Sequence, residues 1–224
     1  MPRAIYRNNS GQIYAKLKWI LEPEPCEPGP PVPLTEDLLT SPDYVHSDTP
    51  IVWLRHALSL SDEAIKRAAL ETTGQRDNPM WSIVRKYRIT ASNFGAVLCS
   101  KQRRLTLSLK KQLMSAYNLE SIKAVAWGIT REDDALRKYE KDFDAAVEQS
   151  DLKQDTLCLK TSHPYYHQIQ GQLHICNKTC CDLIVWTRVD CIVIRIVKDI
   201  EWTANVSKLI DFYFNIFIPA LMEN

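Results

Sequence analysis

The sequence predicts an α/β chain of the α+β kind, with helices packed on a small sheet that includes an antiparallel hairpin. Two patterns predict it. Apolar residues recur at helical spacing near 61–73, 104–118 and 130–146, and again from Pro164 onward. Two β-branched runs, Cys181–Arg188 and Cys191–Val197, are separated only by Val189-Asp190, as in a hairpin.

The elements follow in order. Residues 1–21 have room for one short element. Residues 22–33, EPEPCEPGPPVP, carry six prolines, which fix φ and remove donors, so they read as an extended linker. Ser41-Pro42 and Thr49-Pro50 add turn signals, and residues 1–60 are expected to form an irregular arm. Ser61 or Asp62 caps a helix that Gly74 ends. Trp81, Val84 and Tyr87 continue at helical spacing, and Thr90 or Ser92 caps the next helix. Thr130 with Asp133 resembles a capping box for a helix whose stripe is Ala135, Leu136, Tyr139 and Phe143. Pro164 suits the first helical position of PYYHQIQGQLHI. The chain closes on a helix over about 203–218, whose DFYFNIFIPAL is apolar nearly all round and is expected to be buried from two sides.

Composition narrows the classes of function. The chain is 45% apolar and 25% charged, which excludes wholesale disorder. No apolar run reaches the roughly 20 residues of a membrane span. The opening residues lack an apolar stretch, and seven unevenly spaced cysteines read as reduced thiols. An intracellular protein is the expectation, with nucleus and cytoplasm not distinguished. The net charge of +1 conceals an asymmetry. Eight of the 28 basic residues fall between Trp81 and Leu119 with no acid among them, so the remainder holds 20 basic against 27 acidic residues, a balance of −7. Such a segment is a footprint for a polyanion or a solvated helical face.

Four groups of residues bear chemistry. A helix starting near Thr90 presents unpaired N–H groups beside Ser92, and Arg85 and Arg88 precede it, so a phosphate fits there. A capped helix with two surface arginines accounts for the same residues. Glu132, Asp133 and Asp134 offset a helix dipole, and one of them becomes a magnesium ligand only with further oxygens beside it. His163 and His167 have a zinc-chelating spacing, but Cys176, Cys180 and Cys181 match no zinc ribbon, and buried thiols are the simpler account. No GxSxG is present.

The order Trp81, Arg85, Arg88-Ile-Thr-Ala-Ser92, Gly128, Glu132, Ala135, Tyr139, then HPYYHQIQGQL and CDLIVWT, resembles the YqaJ viral recombinase family over about residues 60–221. These are lambda-exonuclease-like alkaline nucleases of the PD-(D/E)XK group. The resemblance implies a restriction-endonuclease-like core in residues 61–224, Mg2+-dependent 5′-to-3′ digestion of duplex DNA, and relatives that form oligomers. By resemblance Arg85 and Ser92, with Arg88 beside them, hold the 5′-terminal phosphate. Glu132 helps organise the metal site, and Tyr165 and Gln168 line it. Gln170 shares that motif as a structural residue.

The resemblance also implies an Asp strand and a Glu-x-Lys strand after the Glu132 helix. Residues 144–162 contain neither. Asp144 with Asp151-Leu152-Lys153 imitates the set, but AAVEQS lacks the β-branched residues of a buried strand. The core therefore reads as truncated near 144–162, by a deletion or as an incomplete gene product, with a catalytic centre that is incomplete and inactive. A non-catalytic DNA-end-binding or interaction module is the alternative.

Overall fold

The computed structural model describes residues 30–74, 77–100, 104–114, 137, 158–186 and 191–223, with the backbone of two N-terminal strands, Ala4–Arg7 (β1) and Ile13–Tyr14 (β2). They fall into two compact units. The first comprises Met1–Leu17, Ala91–Arg104 and Tyr117–Phe212; the second comprises Lys18–Thr90, Leu105–Ala116 and Tyr213–Asn224. No helix among the described residues is long and apolar enough to cross a membrane.

In the second unit, α1 (Thr35–Thr40), α2 (Pro42–Val45) and α3 (Pro50–Ala57) precede α4 (Asp62–Glu71) and α5 (Pro79–Arg85). Leu39, Tyr44 and Leu54 of the first three bury against Phe214 and Ile218 from the C-terminus. Residues 35–57 thus correct the expectation of an irregular arm over 1–60. The reason is local: Pro42 and Pro50 sit in the first turns of α2 and α3, where a missing N–H costs nothing. The same dipeptides resemble turn signals, and helices this short carry too little periodicity to be read. Pro31 and Val32, at the end of the proline run, are buried as well. Ser61 caps α4 through Ala64 N, as expected.

The first unit holds α6 (Ala91–Leu98), with the following α7 (Leu107–Leu113) falling in the second unit. Its other elements are α8 (Pro164–Ile175), β3 (Cys180–Trp186), β4 (Cys191–Val197), a 3-10 turn (Glu201–Thr203) and α9 (Ala204–Phe212). The hairpin forms with Leu183 opposite Ile194 and Asp182 opposite Arg195. It is not alone. β1 pairs antiparallel with the other side of β3, giving a sheet ordered β2-β1-β3-β4. Residues 181–184 of β3 are accordingly all buried, as in a strand with neighbours on both sides. Ile169 and Leu173, one turn apart on α8, pack on Cys181, Leu183 and Ile196 of the sheet.

α8 and α6 cross at glycines. A Cβ added at Gly95 would stand 2.5 Å from the Cα and carbonyl oxygen of Pro164, and one at Gly171 would stand 2.6 Å from Phe94 Cε2. The C-terminal helix divides into α9, a π-helical turn at Tyr213–Phe217 and α10 (Ile218–Met222). Pro219 follows that turn; its missing N–H and its ring accommodate a widened ladder better than a regular one. Of the expected helix at 130–146 only residue 137 is described, as helical, and the segment 144–157 lies outside the described residues.

Candidate functional site

The basic segment takes its shape from α5. The side chain of Asn78 accepts from Met80 N at its N-terminus and donates to the carbonyls of Glu71 and Thr73, tying α4 to α5. The helix then stops in a tight reversal, with Arg88 N donating to Arg85 O at 3.1 Å. Lys86 has φ −56° and ψ 129°, and Tyr87 has φ 58°. These are the angles of a type II turn, whose third position ordinarily takes glycine. A tyrosine there is held against steric cost. Tyr213 supplies part of the hold by donating from its hydroxyl to Tyr87 O at 3.0 Å.

The turn Arg85-Lys86-Tyr87-Arg88 brings three cations together. The Arg85 guanidinium carbon stands 4.0 Å from the centre of the Trp81 ring, and Nη2 donates to Thr90 Oγ1 at 3.1 Å. Arg88 Nη2 donates to Pro33 O at 2.7 Å, while its Nε is buried without a partner among the described residues. Burial lowers the pKa of both guanidinium groups. Both remain charged, because arginine does not deprotonate in proteins. Neither has a carboxylate partner among the described residues. Lys86 does: Nζ is 2.6 Å from Glu36 Oε2, and the ammonium also lies 5.1 Å from the Tyr87 ring centre. That acid raises the Lys86 pKa.

The other described residues of the predicted site belong to the first unit. Ser92 is exposed in the first turn of α6, and Tyr165 and Gln168 are half-buried on α8, all in the first unit. Arg85 and Arg88 belong to the second. Gln170 is 1% exposed and structural in its contacts: Nε2 donates to Val197 O at 2.8 Å and Oε1 accepts from Asp199 N at 2.9 Å. Around it, Tyr166 donates to Asp199 Oδ2 at 2.8 Å, and its pKa is pushed up to about 12, first by burial and then by that carboxylate. His174 Nε2 lies 2.8 Å from Asp199 O.

The histidines are engaged rather than poised for zinc. His163 Nδ1 caps α8 by accepting from Tyr165 N at 3.1 Å, and His167 Nδ1 accepts from Trp202 Nε1 at 3.1 Å. The expected magnesium ligand Glu132, and the substitute set Asp144, Asp151 and Lys153, lie outside the described residues. Among the described residues no three His, Cys, Asp or Glu side chains gather as a metal site would require. Asp182, the buried acid of β3, is bound by both nitrogens of an Arg195 fork at 2.8 and 3.0 Å. It is an internal ion pair and does not fit as a cation ligand.

Sequence reasoning did not single out Glu36, and it read Tyr87 as continuing the helical spacing of Trp81 and Val84, whereas the helix ends at Arg85 and Tyr87 lies in the turn beyond it. The only signal for the turn was the tetrapeptide itself, three cations around an aromatic, and nothing marks Glu36 as its neighbour 50 residues away.

No curated protein and no solved structure matches the chain. A family model does, over a shorter span than the 60–221 of the resemblance: it begins just before Trp81 and ends before α8. The match points to a nuclease-family role. Residues 80–162, the R-K-Y-R turn among them, match the YqaJ-like viral recombinase domain, the family that the sequence resembles.

Proposed function

We propose that this chain binds the 5′-phosphorylated end of duplex DNA through the Arg85–Arg88 turn and does not itself cut it. The observation that carries the reading is a pair of half-buried guanidinium groups with no acidic partner among the described residues, fixed on a strained turn. A desolvated cation is costly unless an anion reaches it. Arg85 is held by Trp81 and Thr90 with donors left over, and planar forks of this kind suit phosphate oxygens. The family match covers this turn.

The reading of an incomplete centre rests on the sequence of 144–162, where the expected Asp and Glu-x-Lys are absent. In the family, magnesium polarises the scissile phosphate. Among the described residues no group of His, Cys, Asp or Glu side chains offers it a ligand set.

Two measurements test the proposal. Duplex carrying a 5′-phosphate should bind more tightly than duplex with a 5′-hydroxyl, and Arg85→Ala should weaken the phosphorylated complex by about tenfold or more. Its salt dependence should flatten by roughly one phosphate contact. Equal affinity of the parent chain for both ends would refute end recognition. Incubation of the phosphorylated duplex with magnesium should leave it intact; progressive digestion that Glu132→Ala abolishes would refute the inactive centre.

A further inference from the structure

We propose that Lys86 is a further phosphate-binding residue of this turn, held in reserve by Glu36, so that the α1 carboxylate acts as an intramolecular competitor of the nucleic acid. The inference rests on the phosphate-binding reading above and adds a regulation to it.

The contacts join two stretches of the second unit, residues 33–36 and 85–88. The basic segment 81–119 contains no acid of its own, and Glu36, 50 residues upstream, supplies one. It pairs with the central cation of the R-K-Y-R turn, while the flanking Arg85 and Arg88 have no acidic partner among the described residues. The same stretch of chain reaches the turn a second time, where Pro33 O accepts from Arg88. Two of the turn's three cations are thus bound by residues 33–36. The two contacts differ in kind: the Pro33 carbonyl is neutral, whereas Glu36 offers the charge that a phosphate offers.

The exchange is physically cheap. Lys86 and Glu36 are about half exposed, 49% and 52% by side chain. An ion pair this wet is weak, because water screens both partners before and after it breaks. A phosphate oxygen of a duplex docked on Arg85 and Arg88 replaces the Glu36 oxygen without dehydrating Lys86 further. Glu36 then returns to water at the exposed first turn of α1, where the helix dipole favours an acid. The Lys86 ammonium also lies 5.1 Å from the Tyr87 ring centre, a second contact within the turn that does not depend on Glu36.

The test uses the full chain and 5′-phosphorylated duplex over a salt series. Glu36→Gln should tighten binding by about two- to fivefold at low salt, the range that an exposed pair can withhold. It should also steepen the salt dependence toward one more phosphate contact. Asp37→Asn is the control: it is the neighbouring first-turn acid, makes the same change in charge, and has no ion pair with the turn. In a Lys86→Ala background, Glu36→Gln should give no tightening beyond that of Asp37→Asn. Equal tightening by Glu36→Gln and Asp37→Asn would overturn the proposal in favour of net charge alone. So would no tightening in a parent chain that binds duplex and loses affinity on Arg85→Ala. If the parent chain shows no preference for the phosphorylated end, the underlying reading fails instead, and the two failures are told apart by that first measurement.

Discussion

The two units treat their polar groups in opposite ways. In the first, the described groups close on one another, apart from a buried Gln172 Oε1 that has no partner among them. Gln170 uses both ends of its amide on the backbone of Val197 and Asp199, Tyr166 donates to Asp199, and Asp182 sits in a two-point fork from Arg195. In the second, Arg85 and Arg88 are half-buried, desolvated and without an acid among the described residues, on a turn with a left-handed tyrosine. Satisfied buried polar groups fix a fold; unsatisfied cations on strained backbone are what a binding site leaves for its ligand.

The largest effect should come from breaking the first unit where α6 and α8 cross. Gly95→Ala puts a methyl against the backbone of Pro164, which has no rotamer with which to move away. The gain in helix propensity, up to about 1 kcal/mol, offsets part of the clash. A net loss of about 2–3 kcal/mol is expected in urea unfolding, as for other overpacked cores. Gly171→Ala meets the Phe94 ring instead, which can turn, and should cost less.

Next is the closed network itself. Gln170→Leu keeps the volume but strands the Val197 carbonyl and the Asp199 N–H. A loss of about 2 kcal/mol should follow, from two backbone groups left without partners. If the variant unfolds like the parent chain, the network is ornamental and the contrast between the units weakens.

How far the sequence disclosed these regions depends on length scale. The 12-residue α8 announced itself through Pro164 and a full apolar repeat, and the hairpin through two β-branched runs. The four- to eight-residue helices at 35–57 did not, because proline after Ser41 and Thr49 marks a turn and a helix start alike. The pairing of β1 with β3 is a contact across most of the chain, which no local pattern encodes. For the site, Arg85 and Arg88 were legible as basic residues before a helix. Their acid-free burial, the turn between them and the reach of Glu36 are tertiary facts. Glu132 and the segment 144–157 lie outside the described residues, and their roles rest on the sequence alone.

The second unit offers a prediction of the opposite sign. Arg85→Met retains packing against Trp81 and removes a desolvated charge. Stability should stay within about 0.5 kcal/mol of the parent chain, the range of substitutions that break no buried network. Duplex affinity should nevertheless fall as it does for Arg85→Ala. A large loss of stability would mean that Arg85 belongs to the scaffold, as Gln170 does, and the comparison would lose its second half.

The smallest expected effect is one of pH, and it sharpens the account of the first unit. His167 accepts the Trp202 indole proton at Nδ1, so its neutral form is the one that fits. Burial, then the nearby Lys208 ammonium, lowers its pKa below the ordinary 6.5. Between the folded and unfolded values the unfolded chain therefore binds more protons, and stability rises with pH. The contribution is complete above about 6.5 and declines as pH falls through that value. His174 also faces this indole, with ring centres 5.4 Å apart. In His167→Gln the amide oxygen can still accept from Trp202 but does not titrate. Melting temperatures should then fall less steeply with falling pH, between pH 7 and 5, than in the parent chain. An unchanged slope would leave the His167 bond as a contact of packing only.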